Sequence, residues 1–364
     1  MTDTIVPRRS LWTRIPIIHQ VRESVGVQRT MLIGGLVITG IFVLIACFAP
    51  LLAPYGFAQL HDSHGDFGAQ QPPSASHIWG TTVGGYDVFS RVVWGSQTAI
   101  LVIVVAVVLS IFAGVLLGLV SGYFGGWLDR VLVVVCDAIY AFPSLLLAIV
   151  MSIVISGGQS NLLGGVMAAA ISITVVYIPQ YFRVVRAEAV RIKAEAYVES
   201  AKVVGASNSR IMFRHVFRNS TRTLPLIFTL NSSDAILTLA GLGFLGFGIE
   251  PTSASEWGYD LNKAISDVTA GIWWTALYPG LAIVLVVLGI TLVGESLNDL
   301  ADPRLRGRRA AAEAPDELID VSVVPGGVLT AGPGGLDGLE GIGAVRGERA
   351  MEERSQTDAM EDRL

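Results

Sequence analysis

Two carboxylates, Asp137 and Asp234, stand inside long apolar runs of this 364-residue chain, where a charge is costly to keep. Two chemistries suit that placement. Held close together, the pair can share one proton in the manner of an aspartyl protease; held apart, they can line a path for a polar solute. Against both stands a structural use, in which Asp137 pairs with a base near Arg130 and Asp234 hydrogen-bonds between helices. That use is preferred, with Asp137 and Asp234 kept as the candidate path residues. His61, His64 and His77 fall at spacings of three and thirteen on coil-forming sequence, too irregular for a metal site, and none is assigned. Phosphate-cradling loops need a lysine directly after glycine. Lys193, Lys202 and Lys263 each follow another residue type, so no nucleotide chemistry is expected on this chain. Cys47 and Cys136 lie in apolar runs placed at opposite depths, and no disulfide is expected.

The other stretch able to act runs from Ala194 to Asn219. Ala194, Tyr197, Val198, Ala201 and Val204 recur at three and four, making one apolar stripe with Glu195, Glu199 and Lys202 turned away. Gly205 ends that helix. Ser207 or Asn208 can cap a second one, in which Met212, Phe213, Val216 and Phe217 share a face and Arg210, Arg214 and Arg218 follow one another at i+4. A helix, a sharp turn and a short two-faced helix form a knob suited to a groove on another protein. A basic loop lying on anionic headgroups is the plainer alternative, but a surface-lying helix has no need of the break at Gly205.

These stretches are positioned by membrane helices. The chain is 52% hydrophobic and 15% charged, with a mean hydropathy of +0.59, which excludes an ordinary soluble protein. Six runs reach the roughly 20 residues a bilayer core needs: 31–52, 98–120, 131–156, 161–182, 223–248 and 273–294. Pro50 and Pro54 should close the first, Pro143 kink the third, Pro179 the fourth and Pro279 the start of the sixth. With the N-terminus inside, cytoplasmic segments carry 23 of the 25 basic residues, leaving Arg91 and Lys263 outside. The knob is then cytoplasmic. Two longer loops, about 53–96 and 249–272, fall outside, and the Trp273-Trp274 pair anchors the sixth run at the outer interface. Gly114 and Gly118 permit close helix approach. The net charge of −5 belongs to the end of the chain, where twelve acids stand against four arginines after Arg309.

The knob resembles the EAA loop of ABC-importer permeases, where Glu-x-Ala, three residues, then Gly marks the coupling helix: here Glu199-Ser200-Ala201 and Gly205. Other segments are similar to the dipeptide, oligopeptide and nickel permease family, specifically its C-type subunit. They are FAPLLAPY from Phe48, DVFSRVVWG from Asp87, SGYFGGWLDR from Ser121, YAFPSLLLAI from Tyr140, LGFLGFGIEP from Leu242, SEWG from Ser255 and LNDLADPRLRG from Leu297. Together they cover about Arg29 to Gly307. The family's Leu-Pro after the coupling helix is here Phe217-Arg218, and its Gly-Thr-Asp and Gly-Arg-Asp are Gly80-Thr81-Thr82 and Gly85-Tyr86-Asp87.

The resemblance implies an all-α, six-span permease of the type I ABC-importer fold, with a cytoplasmic segment over 1–30, a membrane domain over 31–307 and a coupling loop over about 186–222. Glu199, Ala201, Gly205, Ser207, Ile211, Met212, His215 and Val216 would couple to the ATPase. The partners implied are a B-type permease, one or two ABC ATPase subunits carrying ATP and magnesium, and an extracytoplasmic solute-binding protein. This chain would hold no cofactor, sit in the prokaryotic inner membrane with both termini cytoplasmic, and bind no nucleic acid. Short peptides are the expected cargo, nickel or another small solute the alternative; a stand-alone channel or ion-driven carrier would need more ionisable residues along the spans. Residues 308–364 lie outside the resemblance and read as an acidic, glycine-rich, flexible tail with a short element over 317–324. Truncation after Arg309 is expected to leave uptake intact. A loss of uptake at normal membrane levels would show that the tail acts on the transporter.

Overall fold

The computed structural model describes residues 27–63, 65–156, 162–221, 224–301, 320–323 and 329–332. Most of the segments expected over 1–30 and 308–364 lies outside the described residues, as do His64 and Arg222. In chain order the elements are Val27–Cys47 (α1), Ala49–Leu52 (α2), a two-residue hairpin of His61–Asp62 (β1) and Gly65–Asp66 (β2), Val88–Phe124 (α3), Gly126–Tyr140 (α4), Ser144–Ser156 (α5) and Leu162–Lys193 (α6). Then come Ala196–Val203 (α7), Asn208–Ile211 (α8), a π-helical segment Met212–Phe217, Arg218–Ser220 (α9), Leu224–Phe244 (α10), Trp257–Thr269 (α11) and Trp274–Ala301 (α12). Residues 302–364 form a separate unit. Its described part is an antiparallel hairpin in which Asp320–Val323 (β3) pairs with Leu329–Gly332 (β4), Val323 facing Leu329.

The helices α1, α3, α6, α10 and α12 are each long and apolar enough to cross a bilayer, and with the broken pair α4–α5 counted as one span there are six. The expected kink at Pro143 is a 99° bend. A proline there has no N–H to donate and forces the preceding residue out of helical geometry, so α4 ends at Tyr140 and α5 starts afresh at Ser144. Pro179 and Pro279 lie inside continuous helices.

The second span begins ten residues earlier than its apolar run. Asp87 caps it, its carboxylate accepting from the Ser90 backbone N–H at 2.8 Å and the Ser90 hydroxyl at 2.7 Å. At 1.5 Å per residue the 37 residues of α3 reach about 55 Å, well past a hydrocarbon core of about 30 Å. This helix therefore joins both ends of the bundle.

It packs most intimately on α6. A Cβ on Gly114 would come 2.5 Å from the Tyr181 Cβ, on Gly118 2.7 Å from the Phe182 carbonyl oxygen, and on Gly122 2.8 Å from the Ala189 Cβ. Every fourth residue is thus a glycine because another backbone occupies the side-chain space. The α1–α12 contact repeats the device at Gly35, where a Cβ would lie 2.8 Å from the Gly289 carbonyl. Around these seams the main core gathers Val102, Ala106, Ile173, Tyr177, Ile236 and Val286.

Away from the Ala194–Asn219 knob, α11 closes the bundle. It was not expected from apolar periodicity, since its buried face is Trp257, Asp260, Ala264 and Asp267. Glu256 caps it, accepting from the Gly258 and Tyr259 N–H groups at 2.7 Å each, and burial pushes this carboxyl up to about 8. The Arg91 Nε donates to Asp260 Oδ1 at 2.7 Å, and its Nη1 donates to the Phe57 carbonyl at 3.0 Å. Both partners of this ion pair are buried. Burial pushes the Asp260 carboxyl up while the Arg91 guanidinium draws it down. Arg91, expected in an outer loop, is thus a buried tie between α3 and α11.

Two measurements test this packing. Gly118→Leu should destabilise the protein by about 1–3 kcal/mol or more, since inserted atoms meet backbone that cannot give way, and should lower its melting temperature in detergent. Gly34→Leu, at a position where an added Cβ meets nothing within 4 Å, should leave it unchanged. Arg91→Met strands Asp260 without its counter-charge, at a cost of about 3–5 kcal/mol. The same melting experiment should show that loss, and the added change Asp260→Leu should recover part of it.

Candidate functional site

The knob between α6 and α10 is built on its own small core. Val198, Ile211, Met212 and Val216 are buried against Val115, Leu119 and Tyr123 of α3 and Val185, Ala189 and Ile192 of α6. Polar ties close it. Lys193 Nζ donates to the Tyr123 carbonyl at 2.5 Å, the Tyr123 hydroxyl donates to Asn208 Oδ1 at 2.9 Å, and Asn219 Nδ2 donates to the Tyr197 hydroxyl at 3.1 Å.

Gly205 carries φ +84°, the left-handed conformation at which glycine ends a helix. Its N–H donates to Lys202 O at 2.9 Å, and the Ala206 N–H to Ala201 O at 3.0 Å. The Ser207 hydroxyl then caps α8, accepting from the Arg210 N–H at 3.4 Å. Asn208, the alternative cap, instead takes the Tyr123 bond.

The expected faces are divided by this geometry. In the first helix Val198 is buried, whereas Val203 and Val204 at its tip are 88% and 87% exposed. In the second, Met212 and Val216 point into the small core while Phe213 and Phe217 face outward. A π-helical turn spans Met212 to Phe217, and each phenylalanine follows its buried neighbour by one residue, roughly a quarter turn round the axis, which carries it off the inward face. Of the predicted coupling residues, Ile211, Met212 and Val216 are buried in this chain's own core. Ala201 and His215 are half-buried, and Glu199, Gly205 and Ser207 are exposed. The outward surface is Val203, Val204, Tyr197, Phe213 and Phe217, ringed by the exposed Lys202, Arg210, Arg214 and Arg218.

The two intramembrane aspartates have separate partners. Asp137 lies 3.9 Å from the Nε of a base, Arg183, and both are about half exposed. Asp234 accepts from the Tyr177 hydroxyl at 2.7 Å, tying α10 to α6. Tyr177 is fully buried, whereas Asp234 is exposed and opens on a cavity of about 220 Å³ beside the α4–α5 break. Tyr177 and Gln180 line that cavity, and the Arg183 guanidinium lies 5.0 Å from the Tyr140 ring centroid. Sequence reading missed this polar stripe of α6, although the spacing of Tyr177, Gln180 and Arg183 at three marks one helix face. Of the histidines, His77 is buried on Asp87, with 2.9 Å between Nδ1 and Oδ1. Among the described residues no three His, Cys, Asp or Glu side chains converge.

Comparison with known proteins gives this arrangement a context. Residues 114–307 match the family model of the binding-protein-dependent transport system inner membrane component. Residues 27–73 match the N-terminal TM domain of oligopeptide transport permease C. The chain is 37% identical over 279 residues to the dipeptide transport system permease protein DppC of Alkalihalophilus pseudofirmus, a match covering 77% of this chain and 88% of the relative. It is 34% identical over 304 residues to the glutathione transport system permease protein GsiD of Pectobacterium atrosepticum, covering 82% and 92%. With GsiD of Escherichia coli O157:H7 it shares 35% over 267 residues, covering 73% and 84%. The exposed knob on a six-span, glycine-packed bundle is therefore part of a permease: the chain belongs to the inner membrane components of binding-protein-dependent transport systems, the permease subunits of ABC importers.

Proposed function

We propose that this chain is the C-type half of a heterodimeric pore importing short peptides, driven by ATPase subunits that grip the knob from the cytoplasm. The observation that carries the reading is the near-complete exposure of Val203 and Val204 at the tip of a knob in which Val198, Ile211, Met212 and Val216 are buried. Two neighbouring valines left in water are a liability unless a partner covers them. The ring of Lys202, Arg210, Arg214 and Arg218 supports a cytoplasmic placement, as does the overall balance of 23 basic residues to 2. Both termini then lie in the cytoplasm, and the two outer loops face an extracytoplasmic solute-binding protein. ATP and magnesium belong to one or two partner ATPases, since no lysine here follows a glycine. Closure of those subunits would draw the knob with α3 and α6 as one body, the rigid rocking by which such bundles alternate access.

Short peptides are favoured as cargo because the relatives named above serve dipeptide and glutathione transport. Glutathione is itself a small peptide with a free amino group. The B-type permease would complete the pore on the side to which Asp234, Gln180 and the α4–α5 break open.

The double change Val203→Asp and Val204→Asp tests the docking surface without touching a buried residue. ATPase subunits should no longer co-purify, and uptake should fall at least tenfold with the permease still at normal membrane levels. Gly205→Trp, which removes the turn that presents the tip, should act in the same direction. Retention of both the ATPase and uptake in the valine variant would defeat the reading.

A further inference from the structure

Asp234 sits at the midpoint of its span, with ten residues of α10 on either side. Its exposed neighbours one turn away, Leu230 and Leu237, are apolar. A carboxylate on that face cannot lie against hydrocarbon at such depth, so the face borders protein or water. The broken span makes the same demand independently. Non-helical backbone at Ala141 to Pro143 is tolerated in a bilayer only where it is covered by protein or lines an aqueous space. Both features meet in one cavity of about 220 Å³, whose wall includes Tyr140, Ser144, Tyr177, Gln180 and Asp234.

The carboxylate is held ready. The buried Tyr177 hydroxyl donates to Oδ2 at 2.7 Å and fixes the side chain, while no described donor reaches Oδ1. Arg183 is engaged with Asp137, and among the described residues Asp234 has no ion-pair partner. The cavity thus offers one fixed anionic oxygen, an amide at Gln180 and the edge of a tyrosine ring.

We infer that Asp234 is a cation subsite of the translocation path, taking the protonated amino group of a peptide in transit, with Tyr177 as its positioning residue. The inference rests on the peptide-importing reading above. A primary ammonium matches it in charge and in donor type, since its three N–H groups need acceptors, and Asp234 and the Gln180 amide line the same cavity. Discontinuous helices at mid-membrane are a recurrent setting for such sites.

The test uses the complete transporter, assembled with its partner permease, ATPases and binding protein in proteoliposomes, and labelled dialanine as the probe. Asp234→Asn keeps an acceptor for Tyr177 and should lower dialanine uptake at least tenfold at saturating loaded binding protein, with subunit assembly unchanged. Asp234→Cys, made with Cys47→Ser and Cys136→Ser, should lose uptake similarly. It should regain several-fold on reaction with a sulfonate-bearing methanethiosulfonate, and regain nothing with the trimethylammonium reagent. Three results overturn the assignment. One is uptake by Asp234→Asn equal to that of the parent. Both reagents can restore uptake alike, which marks a need for bulk rather than charge. Or assembly is lost, which makes Asp234 the counter-ion of a base on the partner permease. A parent complex that imports some other solute but no dialanine instead refutes the peptide reading, and the assignment falls with it.

Discussion

Close backbone contact between α3 and α6 is the constraint on which the other features depend. In a bilayer, helices gain nothing from burying apolar surface, because lipid is as apolar as leucine, and association has to come from packing and hydrogen bonding. Gly114, Gly118 and Gly122 let α3 lie directly on the backbone of α6 over about two turns. That seam fixes how the long helix α3 presents its two ends. At one end Arg91 reaches Asp260 on α11. At the other, Val115, Leu119 and Tyr123 form one wall of the small core beneath the knob.

Polar groups follow the same constraint. With no water in hydrocarbon to satisfy them, they are tied inward or gathered on one face. Ser110 donates to the Ala106 and Thr174 carbonyls at 2.6 and 3.1 Å, and Thr174 to the Ala170 carbonyl at 2.8 Å, knitting α3 to α6 without exposing a dipole. The groups left on the surface at depth, Asp137, Gln180, Arg183 and Asp234, cluster near the α4–α5 break instead of being scattered. A bundle whose exposed charge collects beside a broken helix has one face made for something other than lipid.

Much of this was legible in the chain itself. The six apolar runs, the helix stop at Gly205 and the cap at Ser207 are local signals, and each is present where its residues stand. What was not legible depended on distance or on rotation. Arg91 looked like a solvated base because its partner, Asp260, is 169 residues away. Helix α11 went unread because two of its four inward residues are aspartates; read with carboxylates allowed inside, the spacing of 257, 260, 264 and 267 is helical. Phe213 and Phe217 were grouped with Met212 and Val216 as one face, although each stands one residue, roughly a quarter turn, beyond its buried neighbour. The start of α3 was placed at the apolar run, although the Asp87 cap lies eleven residues before it. Hydropathy reports where lipid begins, and capping reports where the helix begins.

The small core beneath the knob has a mechanical consequence. Ile211, Met212 and Val216, three of the residues that the family resemblance assigns to ATPase coupling, face inward onto α3 and α6. A force applied to the exposed tip is therefore passed through packed side chains, and through the Lys193–Tyr123–Asn208 ties, into the two helices joined by the glycine seam. Packed interfaces of this kind move as units, because close-packed side chains resist gradual deformation. Since α6 also carries Tyr177, Gln180 and Arg183, displacing the knob must carry one wall of the mid-span cavity with it. Asp234 belongs to α10 and is joined to that wall by the Tyr177 hydroxyl. One hydrogen bond at mid-depth thus lies between the helix that feels the knob and the helix that bears the carboxylate.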